Sequence, residues 1–70
     1  MNNRETKDML VCAASFYEFQ FVGEYIRCFR EVIRTEFVSN KEMNIFLVDC
    51  FEIAHKREFP ERIKKMLLTL

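Results

Sequence analysis

The chain has 70 residues, half of them apolar, and its 11 basic and 11 acidic side chains cancel to a formal charge of zero. A balanced charge gives no excess positive field to neutralise nucleic-acid phosphates or to hold an anionic membrane, which argues against both partners. With eight Phe but one Gly and one Pro, turn punctuation is too scarce for a many-stranded sheet, and the expected class is all-α.

At this size the gain from burial roughly cancels the entropy of ordering, so more chain or a partner is expected. Met1-Asn2-Asn3 reads as a polar start, whereas Met66-Leu67-Leu68-Thr69-Leu70 stops inside an apolar run, as the N-terminal segment of a longer protein would. No apolar stretch reaches the roughly 20 residues of a membrane span. Arg4, Glu5, Lys7 and Asp8 spoil a signal-peptide pattern, so a cytoplasmic setting is expected. Cys12, Cys28 and Cys50 form no C-x-x-C pair, and free buried thiols are expected.

The first segment, about residues 4–19, carries Met9, Cys12, Ala13 and Phe16 at helical spacing, with Leu10 and Tyr17 widening the face. Phe19 to Gly23 break the spacing, which places a tight helix–helix turn near residues 19–22. The second helix, about 22–35, has Val22, Tyr25, Ile26, Phe29, Val32 and Ile33 on one side. Its other side is charged, with Arg27 and Glu31 placed to pair.

The third helix has the clearest start signal. Ser39 is an N-cap candidate and Glu42 completes a capping box, while Val38 and Met43 are spaced as a hydrophobic staple. The helix, about 40–58, places Met43, Phe46, Leu47, Cys50, Ile53 and Ala54 on one stripe, and Lys41, Asn44, Asp49, Glu52 and Lys56 opposite. Ile45, Val48 and Phe51 fall outside the stripe, so this helix is expected to touch neighbours on two sides and to keep apolar surface for a partner. Pro60 either kinks it near Glu58-Phe59 or ends it and starts a fourth segment, about 60–70. The spacing of Ile63, Met66, Leu67 and Leu70 favours the kink. The short connection over 35–38 makes neighbouring helices antiparallel.

Chemistry has little to work with: His55 is alone, and no phosphate loop, H-E-x-x-H or G-x-S-x-G spacing is present. The chain reads as a non-enzyme needing no cofactor or metal, with His55 half-exposed and the Asp49/Glu52 pair an ordinary surface feature. Arg57 stands where the apolar stripe would place its next member. It either snorkels from the core edge or offers its planar fork to an anion. The aromatic set Phe16, Tyr17, Phe19, Phe21, Tyr25 and Phe29 is expected to pack the core and the turn.

The run Ser39-Asn40-Lys41-Glu42-Met43-Asn44-Ile45-Phe46-Leu47-Val48 resembles the start of the third helix of 14-3-3 proteins. The similarity is best from Val38 to about Leu67, where Glu42, Asn44, Ile45, Phe46, Val48, Ile53, Arg57, Arg62 and Ile63 coincide with identical or similar family positions. The resemblance implies an all-α adaptor that dimerises through this region and binds phosphoserine or phosphothreonine segments of signalling proteins. In the family, a lysine and an arginine seven residues later on the third helix hold the phosphate. Here Phe51 and Glu58 fall at those groove-facing positions; Arg57 matches the family arginine just before the lost one, and Lys56 and Arg57 would replace the family's arginine pair if the register slips by one residue, either of which would restore a phosphopeptide contact. Pro60 and Lys64 fall where the family's dimer interface is small and apolar, so the dimer is expected to be altered or absent. The alternative reading is a helical protein–protein interaction module without phosphate recognition.

Overall fold

A computed structural model describes residues 3–70, with side chains from Arg4 onward, so the polar start at Met1-Asn2 lies outside the described residues. The chain forms four α-helices in the order α1 (Asn3–Ala14), α2 (Val22–Ile33), α3 (Asn40–His55) and α4 (Glu61–Leu68). Short 3-10 turns at Phe19–Phe21 and Arg34–Glu36 lead into and out of α2. No strand occurs among the described residues. The radius of gyration is 11.0 Å, close to the ~11 Å that compact packing gives a chain of this length.

Helix α3 lies at the centre, with α1, α2 and α4 packed against it. Side-chain bonds fix the directions. Tyr25 Oη donates to the Leu10 carbonyl at 3.0 Å and Thr6 Oγ1 donates to Glu36 at 3.0 Å, which sets α1 and α2 antiparallel. Lys7 Nζ meets Asp49 at 2.9 Å, and His55 Nε2 lies 3.1 Å from the Ala14 carbonyl, so α1 and α3 run parallel. A carbonyl only accepts, so the proton of that last bond sits on Nε2. His55 is half-buried and stacks on Phe51, which makes it a strut between helix ends rather than a loose surface group.

The start of α3 follows the sequence in part. Ser39 is extended, and its hydroxyl accepts from the Glu42 backbone N–H at 3.2 Å, satisfying one of the free donors of the first turn. The staple is different: Val38 is 92 % exposed and cannot cover the buried Met43. Phe37, one residue earlier, packs on Phe46 with ring centroids 5.1 Å apart and guides the chain into the helix instead.

The end of α3 corrects the expected kink. A continuous helix would drive the Pro60 ring into the Lys56 carbonyl and leave a bond unmade. The chain ends the helix at His55 and turns at Lys56, which takes the left-handed conformation, φ 54° and ψ 39°. The Lys56 N–H bonds to the Ile53 carbonyl at 3.2 Å and the Arg57 N–H to the Glu52 carbonyl at 3.3 Å, the two bonds of a Schellman ending. Pro60 then caps α4, its carbonyl accepting from the Lys64 N–H at 2.9 Å. A missing N–H costs nothing there.

The core also departs from the expected stripes. On α1 the buried side chains are Thr6, Leu10 and Ala14, while Met9 and Cys12 are exposed and Phe16, beyond the helix end, is 83 % exposed. The Thr6–Glu36 bond and the early stop at Ala14 turn the helix away from the face that spacing alone suggests. On α2, Val22, Tyr25, Ile26 and Ile33 are buried as expected, whereas Val32 is exposed. Glu31 pairs with Arg34 at 2.8 Å, in place of the Arg27 pairing expected from spacing.

Helix α3 buries Met43, Asn44, Leu47, Val48, Cys50 and Phe51. The surplus apolar residues Val48 and Phe51 are therefore covered within the chain, because the separate α4 and Phe59 supply the second side of contact. Each of these fully enclosed apolar side chains stabilises by about 1.5–3 kcal/mol relative to exposure. Ile53, expected in the stripe, is half-exposed.

Candidate functional site

Two surfaces compete for a role, the 56–58 loop that sequence singles out and a groove beside α3. In the loop, Lys56, Arg57 and Glu58 are all exposed. The Arg57 guanidinium lies 3.7 Å above the centre of the Phe19 ring, a cation–π contact that employs its planar face. Arg57 thus rests on the core edge, as the snorkelling alternative expects. The concavity beside it, about 340 Å³, brings Lys56 and Arg57 together with Asp49, Glu52 and Glu58. Asp49 and Glu52 are engaged by Lys7 and Lys64, and Glu58 stands beside the two cations, so the loop is a mixed-charge surface rather than a dedicated anion site.

Phe51, expected to face a groove, is 0 % exposed and encloses itself among Phe19, Tyr25, His55 and Phe59. Phe51 and Glu58 do not share a helical face, because α3 ends at His55 between them. The two positions that would carry the phosphate donors in the resemblance are thus a core side chain and a loop carboxylate.

The second surface is an open groove of about 420 Å³ lined by Phe37, by Glu42, Ile45, Phe46, Val48, Asp49 and Glu52 of α3, and by Lys64 and Leu68 of α4. Its size falls within the range of ligand-binding clefts. Ile45 is 48 % exposed, and Phe37, Phe46 and Leu68 are partly buried around it, so a hydrophobic floor remains accessible.

Helix α4 forms one wall, and a polar latch holds it. Asn44 is 1 % exposed; its Nδ2 donates to the Leu68 carbonyl at 3.3 Å and to the Leu70 backbone oxygen at 3.0 Å, and its Oδ1 accepts from Arg30 at 3.3 Å. Arg30 also donates to the Leu70 oxygen. The amide thus meets the Leu68 carbonyl that the last turn of α4 leaves unpaired, and with Arg30 it holds the Leu70 oxygen just beyond the helix end, where the helix dipole favours positive charge. At the other end, Glu52 accepts from the Phe59 N–H at 2.9 Å and pairs with Lys64 at 3.3 Å. These contacts set α3 and α4 antiparallel. They also correct the sequence reading of Asn44 as a solvent-facing residue. A lone amide at helical spacing carries no signal of burial; the Leu68 and Leu70 backbone oxygens that require it are 24 and 26 residues away.

The rim of the groove is acidic. The Glu42 carboxylate has no cation within salt-bridge distance among the described residues. Among the described residues Asp49 pairs only with Lys7, and both side chains are about half-exposed. The hydrogen bond to Asp49 raises the Lys7 pKa above its ordinary value. Such a pair is worth at most about 1 kcal/mol, so a competing base can displace it. Among the described residues no group of three His, Cys, Asp or Glu side chains is placed to hold a metal ion. No described helix is long and apolar enough to cross a membrane.

The three cysteines are free; Cys12 and Cys28 are exposed, against expectation, and Cys50 is buried. Burial pushes the Cys50 thiol up to about 12 and the Tyr25 phenol well above its ordinary value, so both stay neutral structural groups.

No protein-family model, curated protein or solved structure matches the chain.

Proposed function

We propose that this chain is a helical protein–protein interaction module whose docking surface is the groove between α3 and α4. The carrying observation is the half-exposed Ile45 among Phe37, Phe46 and Leu68, in a 420 Å³ groove that the chain leaves open. An apolar floor with a polar rim is the usual anatomy of a binding surface. The all-α build, with two walls locked by the Asn44 and Glu52 contacts, supplies the rigidity such a surface needs.

A phosphoserine- or phosphothreonine-directed adaptor acting through Lys56 and Arg57 is the competing reading, and it follows from the 14-3-3 resemblance alone. The carboxylates around Lys56 and Arg57 count against it.

Selecting binders from a library of helical peptides, each in phosphorylated and unphosphorylated form, separates the two. The interaction-module reading expects selected peptides to ignore phosphate, to lose binding to an Ile45→Asp variant, and to bind a Lys56→Ala/Arg57→Ala variant normally. The opposite pattern, phosphate-dependent binding lost with Lys56 and Arg57 and untouched by Ile45→Asp, would establish the adaptor.

A further inference from the structure

We infer that the occupant of this groove is a short amphipathic helix from another protein, carrying an apolar ladder and two basic side chains two turns apart. The inference rests on the groove being the docking surface and adds the chemistry of what docks there.

The shape argues for a helix. The walls are helices whose backbone groups are bonded internally, so an extended segment would find no row of N–H and C=O partners and would bury its own unpaired. A helix brings its backbone already satisfied. Glu42 and Glu52 of α3 are ten residues apart, about 15 Å at 1.5 Å per residue, which accommodates roughly three turns of a partner helix laid alongside. Apolar side chains at i, i+4 and i+7 of such a helix would cover Ile45, Phe46 and Leu68.

The charge argues for bases. Glu42 and Asp49 are seven residues apart on α3, two turns and about 10.5 Å. Among the described residues Glu42 has no cation within salt-bridge distance and Asp49 has only the half-exposed Lys7, whereas Glu52 is committed to Lys64 and the Phe59 N–H. Two lysines or arginines seven apart on the partner would meet Glu42 and Asp49 together. A phosphorylated or acidic segment would be repelled from the same rim.

A second copy is poorly suited as the occupant: among the described residues its pair of exposed bases seven apart on one helical stretch, Arg27 and Arg34, brackets Glu31, which holds Arg34 at 2.8 Å. The one outer ridge of α4 that combines an exposed apolar residue with bases is Arg62, Lys65 and Met66, Met66 being 62 % exposed. At about 100° per residue, Met66 points some 160° away from Leu68, which faces the groove. A two-fold pair presents one patch to its own equivalent, and this ridge and groove lie on opposite sides of α4.

The test uses the full 70-residue chain and four fluorescent helical peptides with the same leucine ladder, differing only at two flank positions seven apart: lysine, glutamine, glutamate or phosphoserine. Binding is read by anisotropy at low and high salt. The expected result is that the lysine peptide binds about five- to tenfold tighter than the glutamine peptide, as two rim ion pairs allow. That advantage is expected to vanish in high salt and in a Glu42→Gln/Asp49→Asn variant, with the glutamate and phosphoserine peptides weakest. All four peptides are expected to lose affinity for Ile45→Asp, whose fold is checked by circular dichroism. Equal affinity of the peptides, with loss in Ile45→Asp, would overturn the preference for bases and leave the groove as the docking surface. Binding that ignores Ile45→Asp, or tightest binding of the phosphoserine peptide, would overturn both. Self-association of the chain through Ile45, seen by sedimentation, would overturn the assignment to another protein.

Discussion

Asn44 makes the sharpest stability prediction because it is a buried amide with every polar atom engaged. Replacing it with Ala removes two bonds to the carbonyl oxygens of Leu68 and Leu70 and one from the Arg30 guanidinium. Neutral hydrogen bonds contribute about 0.5–1.5 kcal/mol net, and those to a charged group about 1.5–3 kcal/mol. The three bonds sum to about 2.5–6 kcal/mol, and because Arg30 keeps the Leu70 oxygen its charge is not stranded, so the loss for Asn44→Ala lies in the lower half of that range. A chain of this length has a total stability of about 4–10 kcal/mol, so the loss should lower the midpoint of thermal unfolding by at least ~10 °C. Urea unfolding followed by far-UV circular dichroism measures it. A change below about 1 kcal/mol would refute the latch. Asn44→Asp separates the latch from a simple charge contact. The new carboxylate would please Arg30 but would face two carbonyl oxygens, so the variant should be destabilised at neutral pH. It should recover part of the loss in acid, where the protonated carboxyl can donate.

Further predictions follow from single residues. Lys56→Gly should stabilise the chain by about 0.5–1 kcal/mol, because glycine takes the left-handed turn without a Cβ penalty; chemical denaturation reads it, and a loss would contradict the Schellman ending. In the folded chain, Cys12 and Cys28 should react with a thiol reagent at pH 8 while Cys50 reacts only after unfolding, and mass spectrometry counts the adducts. Because burial raises the Cys50 pKa to about 12, the unfolded chain gives up that proton first. Stability should fall as pH rises from about 9 towards 12, with Tyr25 adding to the fall above about 10, and unfolding curves across that range show the slope. Lys7→Ala should cost under about 1 kcal/mol of stability and should strengthen binding of a basic helical peptide by freeing Asp49, as anisotropy would show.

The helical class, the capped start of α3 and the buried face of α2 were legible because each rests on neighbours within a turn or two of the chain. Ser39 and Glu42 are three residues apart, and the Val22, Tyr25, Ile26 and Ile33 face repeats at helical period. What escaped depends on distant partners. The Thr6–Glu36 bond spans 30 residues and rotates α1; the Asn44 bonds to α4 span 24 and 26 and bury a residue that pattern assigns to solvent. The end of α3 was ambiguous for a different reason. Pro60 forbids a straight helix but leaves a kink or a break open, and only the ability of Lys56 to turn left-handed decides for the break. That break lets Phe59 cover Phe51 and α4 fold back along α3 beside Val48, so the apolar excess of α3, which suggested a large docking face, shrinks to the groove around Ile45. The candidate residues Lys56, Arg57, Phe51 and Glu58 came from the resemblance, and none of them lines that groove.

The most direct test is an amide chemical-shift map of the isotopically labelled chain bound to the tightest peptide from an unbiased helical library. The largest changes should cluster at Ile45, Phe46, Asp49 and Leu68, with the 56–58 loop little affected. A map centred on Lys56 and Arg57, or on the exposed Phe16, would contradict the assignment of the groove between α3 and α4 as the binding surface.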